Sequence, residues 1–317
     1  MKILVTGGAG FIGSNFASKC LALGHEVAVL DEFNDFYDPA IKRANVAALG
    51  KHVVVHEMDI RDADGVLRVV KQGGFDSIVH LAARAGVRPS IQQPRLYIET
   101  NILGTYNLLE AAKQAGMPRF ICASSSSVYG VLETAPFRED MALTSTISPY
   151  AATKLAGEQF CSNYAHLYGM RTINLRFFTV YGPGQRPDLA IHKFARLISD
   201  GESIPVFGDG STRRDYTYIE DIVQGMLACL TYEGQLCDVF NLGESQTTTL
   251  AELIEHLENA LGKKAVIDRQ PNQPGDVPLT YADISKAKAL LGYAPTTKIA
   301  EGIPKFVEWF RDYNAKI

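Results

Sequence analysis

The chain has little net charge, no long apolar run and no cysteine framework. Its 317 residues carry a formal charge of only −4. A field of that size does not hold a polyanion, so nucleic acid and anionic membrane are poor partners; an anionic small ligand has to be met by local basic residues. No apolar run reaches the length of a spanning helix, and the short one after Met1 is not followed by a cleavage-site pattern. The five cysteines, Cys20, Cys122, Cys161, Cys229 and Cys237, are odd in number and scattered, with no C-x-x-C pair. That argues against disulfide scaffolding and zinc, and for reduced, mostly buried thiols in a cytoplasmic protein. Internal repeats, low-complexity tracts and long linkers are also missing. What is present is an ordinary globular composition, 46% hydrophobic and 21% charged, over a length that suits two domains or one large α/β unit.

The first half alternates short apolar runs with helical patterns. Residues 2–6, 26–30, 52–58, 77–81 and 119–123 are rich in Val and Ile and nearly continuous in hydrophobicity, as strands buried on both faces of a parallel sheet are. Helical periodicity fills 12–23, 41–49, 63–72 and a long stretch at about 95–114. A helix over 149–168 and a strand over 172–178 follow. This alternation predicts a doubly wound α/β fold with a parallel, Rossmann-type sheet. Beyond it, YGPGQRPD, FGDGSTRRD and RQPNQPGD are loop-like, with helical patterns at 219–230, 250–261 and 303–313 among them. The expected division is a nucleotide-binding domain over 1–178 and a smaller C-terminal substrate domain over 179–317, with segments returning to the sheet.

The first strand runs into Gly7-Gly8-Ala9-Gly10-Phe11-Ile12-Gly13 and then a helix. Glycine permits the tight turn, lets backbone approach a pyrophosphate and allows close packing of helix on strand; the helix N-terminus offers free N–H groups to phosphate. The strand-before, helix-after context gives the motif its weight. Asp31 ends the second strand about 20 residues on, where a carboxylate accepts from ribose hydroxyls and repels a 2′-phosphate, favouring NAD over NADP. Asp59, followed by Ile60, comes after the third strand and reads either as a contact at the adenine end or as a helix N-cap.

Tyr150 and Lys154 share one face of the helix that starts near Pro149. Roughly one such pair is expected by chance in this composition, so position carries the signal. The pair follows the fifth strand, which ends in Ser124-Ser125-Ser126-Ser127 at the carboxyl edge of the sheet, where doubly wound folds bind ligands. A tyrosine phenol is a weak base source in water, and a nearby ammonium and an oxidised nicotinamide both favour its phenolate. Such a phenolate removes a hydroxyl proton while the cofactor takes hydride, and a serine hydroxyl bonds the reacting oxygen. His80, after the fourth strand, reads as a packed residue beside the cofactor and not as a base.

GGAGFIG, Asp31, HLAA at 80–83, SSSSVYG and the Tyr150/Lys154 pair together resemble the extended short-chain dehydrogenase/reductase superfamily. DEFNDFYDPAIKRAN, HLAARAGVRPSI, RFFTVYGPGQRPDLA, RRDYTYIEDI and QPGDVPLTYADISKA bring the chain closest to the UDP-glucuronate 4-epimerase group. The resemblance implies an NAD-dependent isomerase acting on a UDP-sugar, with Ser125, Tyr150 and Lys154 as catalytic residues and a homodimer built on the helices near 95–114 and 149–168. The family's dehydratases and decarboxylases carry acids where this chain has Ser126 and Ser127, which favours simple epimerisation. Thr179, with that serine pair, matches the position associated with a sugar carboxylate, and Arg186 in GQRPD leans the same way. Arg214 matches an arginine expected at the diphosphate, and Asp276 an acid expected at the uridine ribose. Arg88 is a further basic candidate for substrate. Ser126 and Ser127 also read as turn residues, Thr179 as a strand-end residue, and Arg186 and Arg214 as surface ion-pair residues. Gln273-Pro274 departs from hexose epimerases, which often carry a basic residue there. The alternatives are a UDP-hexose 4-epimerase and a non-catalytic NAD-binding sensor.

Overall fold

The structure is a computed structural model that describes residues 1–132, 134–271 and 277–315. Seven parallel strands form the central sheet: β1 (Lys2–Thr6), β2 (Glu26–Asp31), β3 (Val54–Glu57), β4 (Ser77–His80), β5 (Arg119–Ser125), β6 (Thr172–Phe177) and β7 (Cys237–Leu242). Their spatial order is β7-β6-β5-β4-β1-β2-β3. Strand order reverses at β1, which pairs β2 on one side and β4 on the other, with Thr6 opposite both Leu30 and His80. The crevice outside the carboxyl ends at such a reversal is where open α/β sheets take ligands.

The inner strands are buried almost throughout, which explains their unbroken apolar runs. The edge strand β3 is shorter than the 52–58 expected, and Val54 and Val55 stay exposed. An apolar run on an edge has only one neighbour to pair with, so hydrophobicity overstates its length.

Helices α1 (Phe11–Ala22), α2 (Pro39–Ala48) and α3 (Ala63–Gly73) connect the first strands. The long helix expected at 95–114 is broken. Pro94–Tyr97 is α-helical, Ile98–Leu103 is a π-helical turn, and α4 resumes over Gly104–Gln114. The wider turn lets Asn101 bind the chain after β4: its Oδ1 accepts from Arg84 N at 2.8 Å and its Nδ2 donates to Arg84 O at 3.0 Å. A single π turn leaves the apolar spacing helix-like on both sides, so periodicity does not reveal it.

Helix α5 (Pro149–Tyr168) has the bounds the sequence predicted. Ser148 caps it by accepting from Ala151 N, Pro149 opens the first turn, and Gly169 closes it at φ +72°. Helices α6 (Ala190–Asp200), α7 (Ile219–Cys229), α8 (Leu250–Leu261) and α9 (Ile299–Asn314) follow. The sequence reading missed α6. Three two-stranded pairs lie among them: Ser203–Phe207 with Val266–Gln270, Thr179–Tyr181 with Tyr216–Tyr218, and Arg213–Arg214 with Thr248–Thr249.

Asp215 ties this half together. Its buried carboxylate accepts from the backbone N of Glu244 (2.7 Å), Ser245 (3.1 Å) and Ala282 (3.1 Å) and from the Thr217 hydroxyl (3.0 Å). Burial pushes its carboxyl up to about 6 against these bonds, which favour the ionised form. Among the described residues no helix is long and apolar enough to cross a membrane, and no cluster of side chains suits a metal ion.

Candidate active site

A cleft of about 670 Å³ opens over the carboxyl ends of the strands around β1. Its floor is the glycine turn. Gly7 adopts φ +69°, and a Cβ there would stand 2.7 Å from Ala82 N; one on Gly13 would stand 2.2 Å from Gly7 O. Neither position admits a side chain. Gly10 starts α1 without any side-chain cap, so the first amides of the helix beside Phe11 and Ile12 are left for whatever fills the cleft.

The rim on the β2 side carries Asp31. Its Oδ1 accepts from Phe33 N at 2.9 Å and its Oδ2 from Ala9 N at 3.1 Å, which aims the carboxylate along the cleft. Burial raises its pKa, with those two amides and Lys42 pulling the other way. Lys42, not singled out in the sequence, is buried beside it, donating to Asn34 O (2.9 Å) and Oδ1 (3.0 Å) over the Tyr37 ring. Asp59 and Ile60 also line the cleft. Asp59 is not a helix cap: Asp62 caps α3, while Asp59 accepts from Arg61 N at 2.8 Å and pairs with its guanidinium.

His80 lies beneath this floor in an ordered chain. Ala82 N donates to Thr6 Oγ1 (3.3 Å), Thr6 meets His80 Nδ1 (2.8 Å), His80 Nε2 meets Thr105 Oγ1 (2.9 Å), and Thr105 donates to Asn101 O (2.6 Å). Thr105 commits its only proton to Asn101, so His80 Nε2 must be the donor and Nδ1 the acceptor. Burial, with Lys154 adding repulsion, pushes the imidazole down to about 3. His80 is therefore a neutral packing residue, in line with its reading from sequence.

Ser125, Tyr150 and Lys154 meet in the cleft. Lys154 Nζ donates to Ala123 O at 2.8 Å, which fixes the ammonium to the end of β5. Ser125 donates to Ser127 Oγ at 3.1 Å and accepts from Ser127 N at 3.2 Å. Tyr150 sits in the first turn of α5, edge-on to Tyr97 with ring centroids 6.3 Å apart. Arg186 enters from the other wall, near enough to Tyr150 for the two to interact electrostatically. Its guanidinium takes Asp188 in two bonds of 2.9 Å and lies over Phe36. Thr179 and Arg88 complete that side, Arg88 with its guanidinium 4.5 Å from the Phe207 ring centroid.

Other expected substrate residues adjoin the cleft or fall beyond its lining. Ser126 and Ser127 lie just outside the lining, in the 3-10 turn Ser126–Tyr129 that Ser125 caps. Arg214 is outside it too, in the short strand Arg213–Arg214, with Nη1 donating to Arg213 O. Asp276, Gln273 and Pro274 lie outside the described residues. The reading from sequence also missed Thr100 and Arg84. The Thr100 hydroxyl and Arg84 Nε are buried on the cleft wall with no hydrogen-bond partner. Buried donors of that kind are expected to be met by a bound polar molecule. No sequence pattern marks Thr100, because the π turn that presents it is invisible to periodicity.

A glycine cradle, a β2 carboxylate and a Ser/Tyr/Lys set on a doubly wound sheet define an extended short-chain dehydrogenase/reductase. The family model described as GDP-mannose 4,6 dehydratase matches residues 4–306, and the chain belongs to that family, among relatives that are sugar-nucleotide 4-epimerases. UDP-glucuronate 4-epimerase 4 of Arabidopsis thaliana is 42% identical over 99% of this chain and 76% of its own length. UDP-glucuronic acid 4-epimerase from Bacillus cereus, solved with UDP-glucuronic acid and NAD, superposes with a TM-score of 0.92 at 35% identity, covering 99% of this chain and 100% of that one. UDP-glucose 4-epimerase of Thermus thermophilus, solved with NAD, gives a TM-score of 0.90 at 34% identity, over 98% and 99%.

Proposed function

We propose that the protein is an NAD-dependent isomerase that inverts C4 of UDP-glucuronate to give UDP-galacturonate through a 4-keto sugar. The observation that carries the reading is the meeting of Ser125, Tyr150 and Lys154 with Arg186 and Thr179 in one cleft above the glycine cradle. NAD fits this cleft: the uncapped start of α1 at Gly10, Phe11, Ile12 and Gly13 suits its pyrophosphate, Asp31 its adenosine ribose, Asp59 and Ile60 its adenine end, and the spare Thr100 and Arg84 donors its polar groups. Bound there, it would supply the hydride acceptor and donor for C4.

The chain's own residues do the rest. Tyr150 takes the proton of the 4-hydroxyl and later returns one. Lys154, held on Ala123 O, keeps a positive charge on the same helix face. Ser125 bonds the reacting oxygen throughout, its hydroxyl already oriented by Ser127 N. The sugar must turn over between the two hydride transfers, so the nucleotide has to stay anchored. Arg88, Arg214 and Asp276 are proposed for that anchoring, and residues 179–317 for the substrate half. Arg186 supplies a cation for the sugar carboxylate, with Thr179, Ser126 and Ser127 as hydroxyl donors.

UDP-hexose is the second reading, favoured by the likeness to a UDP-glucose 4-epimerase. Incubation with UDP-glucuronate and with UDP-glucose, followed by NMR of the products, separates them. Conversion of UDP-glucuronate to its C4 epimer at a much higher kcat/KM is expected; equal or reversed preference refutes the choice of sugar. Ile98, Leu103, Tyr106, Leu167 and Tyr168 expose apolar surface along the helices at 94–114 and on α5, and we assign that face to a homodimer seam, testable by light scattering. The five free cysteines suit a reducing compartment such as the cytoplasm.

A further inference from the structure

Ser124, Arg176 and Asn241 form one polar row across three buried strands. Ser124 of β5 is in register with Arg176 of β6, and Arg176 with Asn241 of β7. All three are at most 4% exposed. Glu158 of α5, also buried, covers the row: it accepts from Ser124 Oγ and takes the Arg176 guanidinium in two bonds of 2.9 and 2.7 Å. The free Nη1 of Arg176 donates to Tyr129 OH at 3.0 Å, and Tyr129 OH donates to Asn241 Oδ1 at 2.7 Å. Asn241 Nδ2 then donates to Phe137 O and Asp283 O.

Burying a charge pair in a sheet carries a desolvation cost, and an apolar pair of the same volume is often as stable. The position of this pair suggests what it does. Ser124 precedes Ser125, and Tyr129 ends the turn that carries Ser126 and Ser127. Arg176 therefore holds both ends of the serine turn, one through Glu158 and one directly. Glu158 is also four residues beyond Lys154 on α5, so Ala123 and Ser124 are fastened in succession to the same helix face.

We propose that Glu158, Arg176 and Tyr129 are positioning residues that fix the serine turn, and that this rigidity governs product fidelity. The proposal rests on the reading of the substrate as a sugar acid. In the 4-keto intermediate the carboxylate is β to a ketone. If it swings free, the C5–C6 bond breaks, its electron pair passes to the C4 oxygen as an enolate, carbon dioxide leaves and a solvent proton completes C5. Serine donors held still keep the carboxylate out of that alignment; a loosened turn does not.

Two variants each remove one oxygen: Tyr129→Phe and Ser124→Ala. A third, Tyr232→Phe, is the control. Tyr232 donates to Asp238 Oδ2 at 2.6 Å, also buried, but Asp238 is in register with Ile173, three places before Arg176, and the pair shares no bond with the turn's network. Amide hydrogen exchange at Ser127, measured without substrate, is expected to quicken at least about tenfold, or about 1.4 kcal/mol, in Tyr129→Phe and Ser124→Ala only. With UDP-glucuronate the same two are expected to lower kcat at unchanged KM and to raise the share of decarboxylated pentose severalfold. Unchanged exchange at Ser127, or a product ratio and kcat like those of Tyr232→Phe, overturns the proposal. If the parent protein turns over no sugar acid, the functional reading falls instead, and the exchange experiment still decides whether the turn is held this way.

Discussion

His80 gives a quantitative handle on the floor of the cleft. Its imidazole is buried, bonded to Thr6 and Thr105, and held down to about 3. In the unfolded chain an imidazole titrates near ~6.5. Above that value both states hold the neutral ring and pH has no effect. As pH falls, the unfolded chain gains a proton that the folded chain refuses until about 3. Stability therefore drops through this window and levels off below it. At pH ~5 the loss is about 2 kcal/mol, from the ratio of protonated to neutral ring in the unfolded state. For a chain of this length that lowers Tm by about 3 °C. His80→Gln keeps a donor and an acceptor on the side chain but cannot take the proton. Urea unfolding of parent and variant at pH ~7.5 and ~5 isolates the term, since every other group cancels in the difference. The parent should lose about 2 kcal/mol more than the variant over that interval. Equal losses within about 0.5 kcal/mol would falsify the assignment of a neutral, doubly bonded imidazole.

Further outcomes follow from the same site. Tyr150→Phe should lower kcat at least about a hundredfold at unchanged circular dichroism; retained turnover removes Tyr150 from the chemistry. Gly13→Ala places a methyl 2.2 Å from Gly7 O, so the turn has to shift; NAD binding by calorimetry should weaken about tenfold or more, and parent-like affinity would count against the cradle. Asp31→Ser removes the carboxylate that two amides orient; the ratio of NAD to NADP affinity should fall at least tenfold or so, and an unmoved ratio breaks the link to ribose. Thr179→Val should raise the pentose share from UDP-glucuronate, read by mass spectrometry, and no rise would argue against a carboxylate contact.

Much of this architecture was legible because its signals are local. Caps and glycines delimit α5, and Val/Ile runs mark the buried strands β1, β2 and β4. The glycine cradle and the Ser125/Tyr150/Lys154 set could be read because strand and helix order alone brings them to one sheet edge. What stayed hidden depends on tertiary neighbours. Glu158, Arg176 and Asn241 look unrelated in sequence and meet only through strand register. Thr100 is presented by a π turn whose flanks keep helical spacing. Arg214 was marked by its motif alone; the short strand that holds it, paired with Thr248–Thr249, was not visible in the sequence. Burial of Lys42 beside Asp31 had no such signal: it is the one buried residue of α2, and the next residues on its side, Asn45 and Val46, mix polar and apolar.

The strand Cys237–Leu242 completes the central sheet from deep within the second half of the chain. A fragment ending near residue 178 would present β6 as a raw edge, its ladder groups bare and prone to pair with a neighbouring molecule. During synthesis the sheet must wait for more than sixty further residues before that edge closes, since β6 ends at Phe177 and its partner strand runs to Leu242. Replacing the segment after β6 with foreign sequence would thus require carrying this strand along, because the chain leaves the sheet after Phe177, returns to it at Cys237 and leaves it again after Leu242.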